Sequence, residues 1–207
     1  YNALETYLST FVEGIKKFTT DKGFLYPSFM QTVTATGRLS SRNPNFQNQP
    51  RGSTFPIRKV ISSRFEGGKI MEIDYAQLEF RTAIFLSQDK QGMEDIRNGV
   101  DVHNYTASII GCSRQEAKPH TFKPLYGGMS GTENEKKYYS AFLKKYPDIK
   151  VWHDKLQSEA IRTKVVTLPT GRQYAFPKAE RMSWGGATSS TQIKNYPVQG
   201  FATADIV

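Results

Sequence analysis

The chain has 207 residues, is 38% apolar, and carries 28 lysines and arginines against 19 aspartates and glutamates, a net charge of +9. That apolar content excludes global disorder, and no apolar run approaches the length of a membrane span. A single cysteine, Cys112, excludes an internal disulfide and fits the reducing cytoplasm.

The charge suits a polyanionic partner, nucleic acid before acidic membrane. A soluble protein of generally basic composition carries the same charge. Three dispersed histidines and one cysteine argue against a zinc site. Residues 3 to 17 have Leu4, Leu8, Phe11 and Ile15 at helical spacing, which predicts an amphipathic helix. "FLYPSFMQTVT" reads as strand and turn. "TGRLSSRNPNFQNQPRGS", residues 36 to 53, is polar and broken by proline and glycine, and reads as a long irregular loop. "GGKIMEID" predicts a turn and then a short buried strand ending at Asp74, and "YAQLEFRTAIFLS" a helix. Asp101 is placed to cap a helix through "VHNYTASII". Ser113 and Glu116 have capping-box spacing ahead of another. Residues 131 to 163 read as helical with a break at Pro147, and "VVTLPTGRQYAF" as a hairpin. The segment after Ser189 reads as a helix interrupted at Pro197. Periodicity alone therefore gives an α+β chain with helices dominant. Neither end carries a cap or a stop, which suggests a piece of a longer protein.

Three groups of residues carry chemistry. Asp74, at the end of its predicted strand, offers hard oxygen to a cation such as Mg²⁺; the plainer reading is a helix cap. Arg114 and Lys118 lie four apart on one helix face, a clamp for a triphosphate. Phe122 and Tyr126 continue that rhythm and suit stacking on a base or walling a sugar. The plainer reading is a basic solvated helix with its aromatics in the core. Arg38, Gln47, Asn195 and Gln199 are long donors of the kind that read acceptors in the DNA minor groove; the plainer reading is loop polarity.

Taken in order, "TATGRLSSRNPNFQNQP", "DYAQLEFR", "RQEAKPHTFKPLYGG", "TLPTGRQYAF" and "NYPVQG" resemble the polymerase domain of the DNA polymerase I family (family A), including its bacteriophage members. The resemblance runs over nearly the whole chain. It implies a right-hand polymerase palm, with an antiparallel sheet, and helical fingers. The implied division is residues 1–75 as palm with a primer–template loop, 76–187 as palm helix and fingers, and 188–207 as a return to the palm. The implied activity is template-directed addition of dNTPs to a primer 3′-hydroxyl, with primer–template DNA as partner, no membrane, two Mg²⁺ ions in the complete enzyme, and any processivity factor unidentified.

The resemblance also assigns roles. Asp74, with the backbone carbonyl of Tyr75, would bind metal. Glu79 would be the gate against a ribose 2′-hydroxyl, supported by Tyr126. Arg114, Lys118 and His103 would meet the incoming phosphates, with Lys118 as candidate proton donor to pyrophosphate. Phe122 matches a Phe or Tyr position, and its phenylalanine implies discrimination against dideoxynucleotides. Arg38, Gln199, Asn195 and Gln47 would contact the nascent pair and primer–template.

Several positions depart from the family pattern. Pro119, Lys123 and Pro124 interrupt the fingers helix, which predicts a kinked or frayed helix and an added cation near DNA or triphosphate. Thr191 replaces a common arginine. The family's second metal-binding aspartate lies beyond Val207, so the isolated stretch is expected to be inactive. Two other readings stay open. One is a non-catalytic DNA-binding module that keeps the cleft. The other is a single-subunit RNA polymerase relative, against which Glu79 and "TGRLSS" argue.

Overall fold

The richest apolar patterning lies after Asp74, and the core forms there. The computed structural model describes residues 2–50, 56–183 and 185–206. It divides into two units, Tyr1–Asp74 and Tyr75–Val207. No helix among the described residues is long and apolar enough to cross a membrane.

The first unit opens with α1 (Asn2–Thr6), a π-helical stretch Tyr7–Val12, and α2 (Glu13–Phe18). The helix expected there forms without a gap from Asn2 to Phe18, but the π-helical stretch inside it breaks the expected apolar stripe. A π turn closes i→i+5 bonds and shifts the phase of every later side chain. Ile15 is buried, but Leu4 and Leu8 are 47% and 49% exposed. Strand β1 (Ser28–Met30) pairs antiparallel with β2 (Ser40–Arg42), with Phe29 opposite Ser41. The polar loop expected over residues 36 to 53 therefore contains a strand, and its end from residue 51 lies outside the described residues. Ser41 is buried, and its hydroxyl accepts from the Phe46 amide and donates to the Pro44 carbonyl. A 3-10 turn follows at Ile57–Val60.

The buried strand expected before Asp74 is absent. Residues 68 to 75 have no regular structure, and Ile70, Met71 and Ile73 are 62%, 81% and 83% exposed. Pattern alone marks a segment fit for a sheet, but a strand exists only through a ladder with a neighbour. None of the described residues pairs with this one.

The second unit runs through α3 (Leu78–Ser87), α4 (Lys90–Arg97), α5 (Val102–Ile110), α6 (Arg114–Leu125), α7 (Glu133–Lys145) and α8 (Pro147–Thr163). The hairpin β3 (Val165–Thr167) and β4 (Gln173–Ala175) forms as expected, with Val166 opposite Tyr174. Helix α9 (Ser190–Gly200) continues through Pro197 into a π turn at Phe201–Asp205, so the expected interruption at Pro197 does not occur.

Several helix starts have a chemical reason. Asp101 accepts from the His103 and Asn104 amides, as the sequence predicts. Ser113 and Glu116 make both halves of their capping box, and Thr132 and Glu135 make a second. Pro147 occupies the first turn of α8, where its missing N–H costs nothing. Buried Asp89 caps two helices at once, accepting from Gly92 N at 2.8 Å and Asp148 N at 3.0 Å. At Gly92 an added Cβ would stand 2.1 Å from Ile84 Cδ1, so glycine lets α4 close on α3.

Two hydrophobic clusters hold this unit. The first joins α3, α5, α6, α7, α8 and α9 through Phe80, Val102, Leu125, Tyr138, Phe142, Tyr146, Ile149 and Val198. Its rings meet edge to face: Phe80 on Tyr146 at 5.4 Å, Phe142 on Tyr146 at 5.0 Å and Tyr138 on Phe142 at 5.9 Å. Such pairs add about 1 kcal/mol each beyond area burial. The second cluster packs the hairpin against α8 and α9 through Leu156, Val166, Tyr174, Phe176 and Ile193.

Candidate polymerase site

Helix α6 carries three of the expected site residues, Arg114, Lys118 and Phe122, with a fourth, Tyr126, at its C-cap, and it forms in spite of its two prolines. Each proline deletes one internal hydrogen bond. Against that loss, the capping box secures the N-terminus, and Ala117, Thr121, Pro124 and Leu125 are buried. Past its C-cap, the Gly128 amide donates to Lys123 O at 2.8 Å and the Gly127 amide to Pro124 O at 2.9 Å, so carbonyls of the last turn stay bonded.

A short hydrogen bond joins the C-cap of α6 to α3. The Tyr126 hydroxyl donates to Glu79 Oε2 at 2.5 Å. The two residues expected to form a gate are thus brought together by folding, although many residues separate them in sequence. Phe122 packs against the first cluster and meets the His103 ring edge-on, with centroids 5.8 Å apart.

His103 is buried. Burial lowers its pKa, the nearby charges of Arg114 and Lys118 lower it further, and Asp101 opposes them. The ring is therefore neutral at pH 7. Its Nδ1 lies 3.0 Å from Thr121 Oγ1, which lies 2.8 Å from Thr106 Oγ1, itself 2.8 Å from the Tyr138 hydroxyl. These three hydroxyls fix the imidazole from behind. Sequence reasoning missed them, because a threonine in mid-helix carries no signal of what it will face.

The two cations differ. Arg114 is already engaged: its Nε donates to Asp101 Oδ2 at 2.8 Å and its Nη2 lies 2.7 Å from the same oxygen. Asp101 thereby caps α5 and holds the arginine, and its carboxyl titrates lower than usual: burial resists this, but Arg114 and the two backbone amides outweigh it. Lys118, half-buried, has no carboxylate partner among the described residues. Lys123 turns toward α7, with Nζ 5.4 Å from the Tyr139 ring centroid.

Behind α6, the buried His153 of α8 lies with Nε2 2.9 Å from Leu125 O. That carbonyl needs a donor, so Nε2 carries the proton. Burial first, and the charge of Lys194 second, depress the imidazole pKa to about 4. Between pH 6.5 and pH 4 the unfolded chain binds a proton at this residue that the folded chain does not, so stability falls as pH falls through that window, by about 3 kcal/mol in all. We expect His153→Gln, whose amide still reaches a carbonyl, to flatten the pH dependence of urea unfolding by that amount. Equal slopes for both proteins would contradict the assignment.

Asn195 and Gln199 are half-buried on α9. In the first unit, Arg38 and Gln47 are exposed, and the Arg38 carbonyl accepts from Thr34 Oγ1 at 2.6 Å. Asp74 is exposed and makes no hydrogen bond or ion pair among the described residues. Its carboxylate is a hard oxygen donor, of the kind that suits Mg²⁺ with water and phosphate completing the shell.

The family model for DNA polymerase family A matches residues 1–207. The chain is 30% identical over 230 residues to the thermostable DNA polymerase I of Thermus aquaticus, covering 100% of this chain and 27% of that one. It is 28% identical over 232 residues to DNA polymerase I of Streptococcus pneumoniae (strain ATCC BAA-255 / R6), covering 100% and 26%. The chain thus spans about a quarter of the length of these relatives. Among solved structures, the POL domain of Pol1 from M. smegmatis, in complex with DNA primer-template and dNTP, superposes with a TM-score of 0.74 at 22% identity, over 96% of this chain and 38% of that one.

Proposed function

The chain belongs to DNA polymerase family A, and on that premise we propose that it carries palm and fingers surfaces of a DNA-directed DNA polymerase, which adds dNTPs to a primer 3′-hydroxyl and releases pyrophosphate. The observation that carries this reading furthest is the Tyr126–Glu79 bond. A carboxylate locked by a tyrosine cannot swing away, so it occupies a fixed volume beside the base-facing end of α6. A deoxyribose fits beside such a wall, whereas a ribose 2′-hydroxyl meets it.

The other residues follow from position and charge. Lys118 is free to meet a triphosphate, and its ammonium is a proton source for departing pyrophosphate. Neutral His103, oriented by Thr121, offers one ring nitrogen to a phosphate. Arg114 reaches a phosphate by exchanging Asp101 for it. Phe122, lacking a hydroxyl beside the sugar, disfavours dideoxynucleotides. Arg38, Gln47, Asn195 and Gln199 supply donors to primer–template DNA. Asp74 and the Tyr75 carbonyl would hold Mg²⁺, and the two ions of a complete site supply charge stabilisation for nucleophile and leaving group.

The test is the ratio of dNTP to rNTP incorporation by the protein at its full natural length. Glu79→Ala should lower that ratio by about 10²-fold, since discrimination resting on one steric and polar contact is worth about 1–3 kcal/mol. The lost factor should appear in rNTP efficiency rather than in DNA affinity. An unchanged ratio would contradict the gate.

A further inference from the structure

The hydroxyls behind His103 form a chain through three helices. Helix α5 supplies His103 and Thr106, α6 supplies Thr121, and α7 supplies Tyr138. Thr106, Thr121 and Tyr138 are 0% exposed, and His103 is 5% exposed. The links join the Tyr138 hydroxyl to Thr106 Oγ1 at 2.8 Å, Thr106 Oγ1 to Thr121 Oγ1 at 2.8 Å, and Thr121 Oγ1 to His103 Nδ1 at 3.0 Å. The other ring nitrogen, Nε2, has no hydrogen-bond partner among the described residues, and it is not among their fully buried polar atoms left without one. It is the part of the ring open to a ligand.

Each link holds one proton, and the phenol sets their direction. Burial pushes the Tyr138 pKa up, so the group keeps its proton. A buried O–H without an acceptor is costly, so that proton points at the Thr106 oxygen beside it. Thr106, thus supplied, passes its own proton to Thr121, and Thr121 passes one to Nδ1. The rival acceptors are the Val102 and Ala117 carbonyls, 2.8 Å from Thr106 Oγ1 and 3.1 Å from Thr121 Oγ1. Each lies one turn back, where a helix carbonyl already accepts a backbone amide. A chain in which every hydroxyl both accepts and donates is further strengthened by mutual polarisation.

We propose that Tyr138 is a positioning residue: through Thr106 and Thr121 it holds His103 as the tautomer protonated on Nε2, so that the ring meets the triphosphate as an N–H donor. The ligand rests on the polymerase reading; the tautomer does not. The bond made by one ring nitrogen decides which nitrogen carries the proton, and the opposite tautomer would turn a lone pair toward phosphate oxygens that can only accept. In Tyr138→Phe the buried Thr106 oxygen loses its donor. Thr121 then turns its proton back to Thr106, Nδ1 donates to Thr121, and Nε2 is left bare.

The experiment is magic-angle-spinning NMR of the protein at its full natural length, with ring-labelled histidine, at neutral pH and without DNA or nucleotide. Protonated and bare ring nitrogens resonate far apart, their bonded carbons tell Nδ1 from Nε2, and the His103 signals are those lost in His103→Ala. Wild type should show Nδ1 bare and Nε2 protonated, and Tyr138→Phe should move the proton to Nδ1. Tyr138→Phe should also raise the dNTP KM about tenfold, the value of one hydrogen bond to a charged group, with kcat within about twofold of wild type. In a His103→Ala background it should raise KM no further. A wild-type ring protonated on Nδ1 would overturn the proposal, as would an unchanged tautomer in Tyr138→Phe or an equal rise in KM with and without His103. The first of these is read on the wild type, so it decides the matter even if a variant fails to fold. A wild-type protein with the expected tautomer that incorporates no dNTP would sink the polymerase reading, and the phosphate ligand with it, while the tautomer assignment stands.

Discussion

In the protein at its full natural length, Asp74→Ala should abolish primer extension without touching the fold. The expected loss is at least about 10³-fold in rate, corresponding to about 4 kcal/mol of transition-state stabilisation. The carboxylate is exposed and bonded to nothing among the described residues. Surface substitutions of that kind change stability by about 0.5 kcal/mol or less. Activity and stability should therefore separate: the urea midpoint stays at the wild-type value, primer–template still binds, and single-turnover incorporation disappears. If the variant retains extension within tenfold of wild type, Asp74 does not serve the reaction. If extension and stability fall together, its role is structural.

The largest effect on stability is expected at Asp95, far from any proposed chemistry. Its Oδ2 accepts from the Tyr146 hydroxyl at 2.8 Å and lies 2.7 Å from Lys145 Nζ, while its Oδ1 accepts from Gln91 at 2.9 Å. Asp95 and Tyr146 are both buried, and Tyr146 is the ring on which Phe80 and Phe142 converge. Asp95→Ala leaves a buried hydroxyl without an acceptor and an ammonium without its anion, so it should cost about 3 kcal/mol. Lys145 keeps some support from the Tyr105 ring, 4.2 Å from Nζ, which holds the loss near that value.

The sign of the pH dependence follows from the same contacts. Burial works to raise the Asp95 pKa, but the bonds from Lys145, Tyr146 and Gln91 outweigh it and the net shift is downward. The stabilisation is therefore complete above the unfolded carboxylate pKa, near 4, and is lost as pH falls through the lower folded value. Equilibrium unfolding of wild type and Asp95→Asn across pH 3 to 7 measures this. A variant as stable as wild type at pH 7 would contradict the account.

Much of this molecule was legible in its sequence, for reasons that are local. Capping by Asp101 and Ser113 depends on residues a few positions apart, and so does the β3–β4 hairpin. The rhythm of Arg114, Lys118, Phe122 and Tyr126 marked α6 correctly because its burial and caps outweigh two prolines. The strand before Asp74 was misread because a short apolar run states a preference, whereas a ladder needs a partner elsewhere in the chain. The register of the first helix was misread because nothing local announces a π turn at Tyr7–Val12.

The site shows the same division. Which residues carry chemistry could be read from order and type. Which of them are engaged could not. Arg114 answers to Asp101, Glu79 to Tyr126, and His103 to Thr121, each partner supplied by another part of the chain.

The most direct measurement is single-nucleotide incorporation by the wild-type protein, at its full natural length, on four primed templates that differ only in the templating base. With Mg²⁺ and one dNTP at a time, each template should direct addition of its complementary dNTP and reject the corresponding rNTP. Binding of all four primer–templates without extension, or addition that ignores the template base, would contradict the reading of this chain as part of a template-directed DNA polymerase.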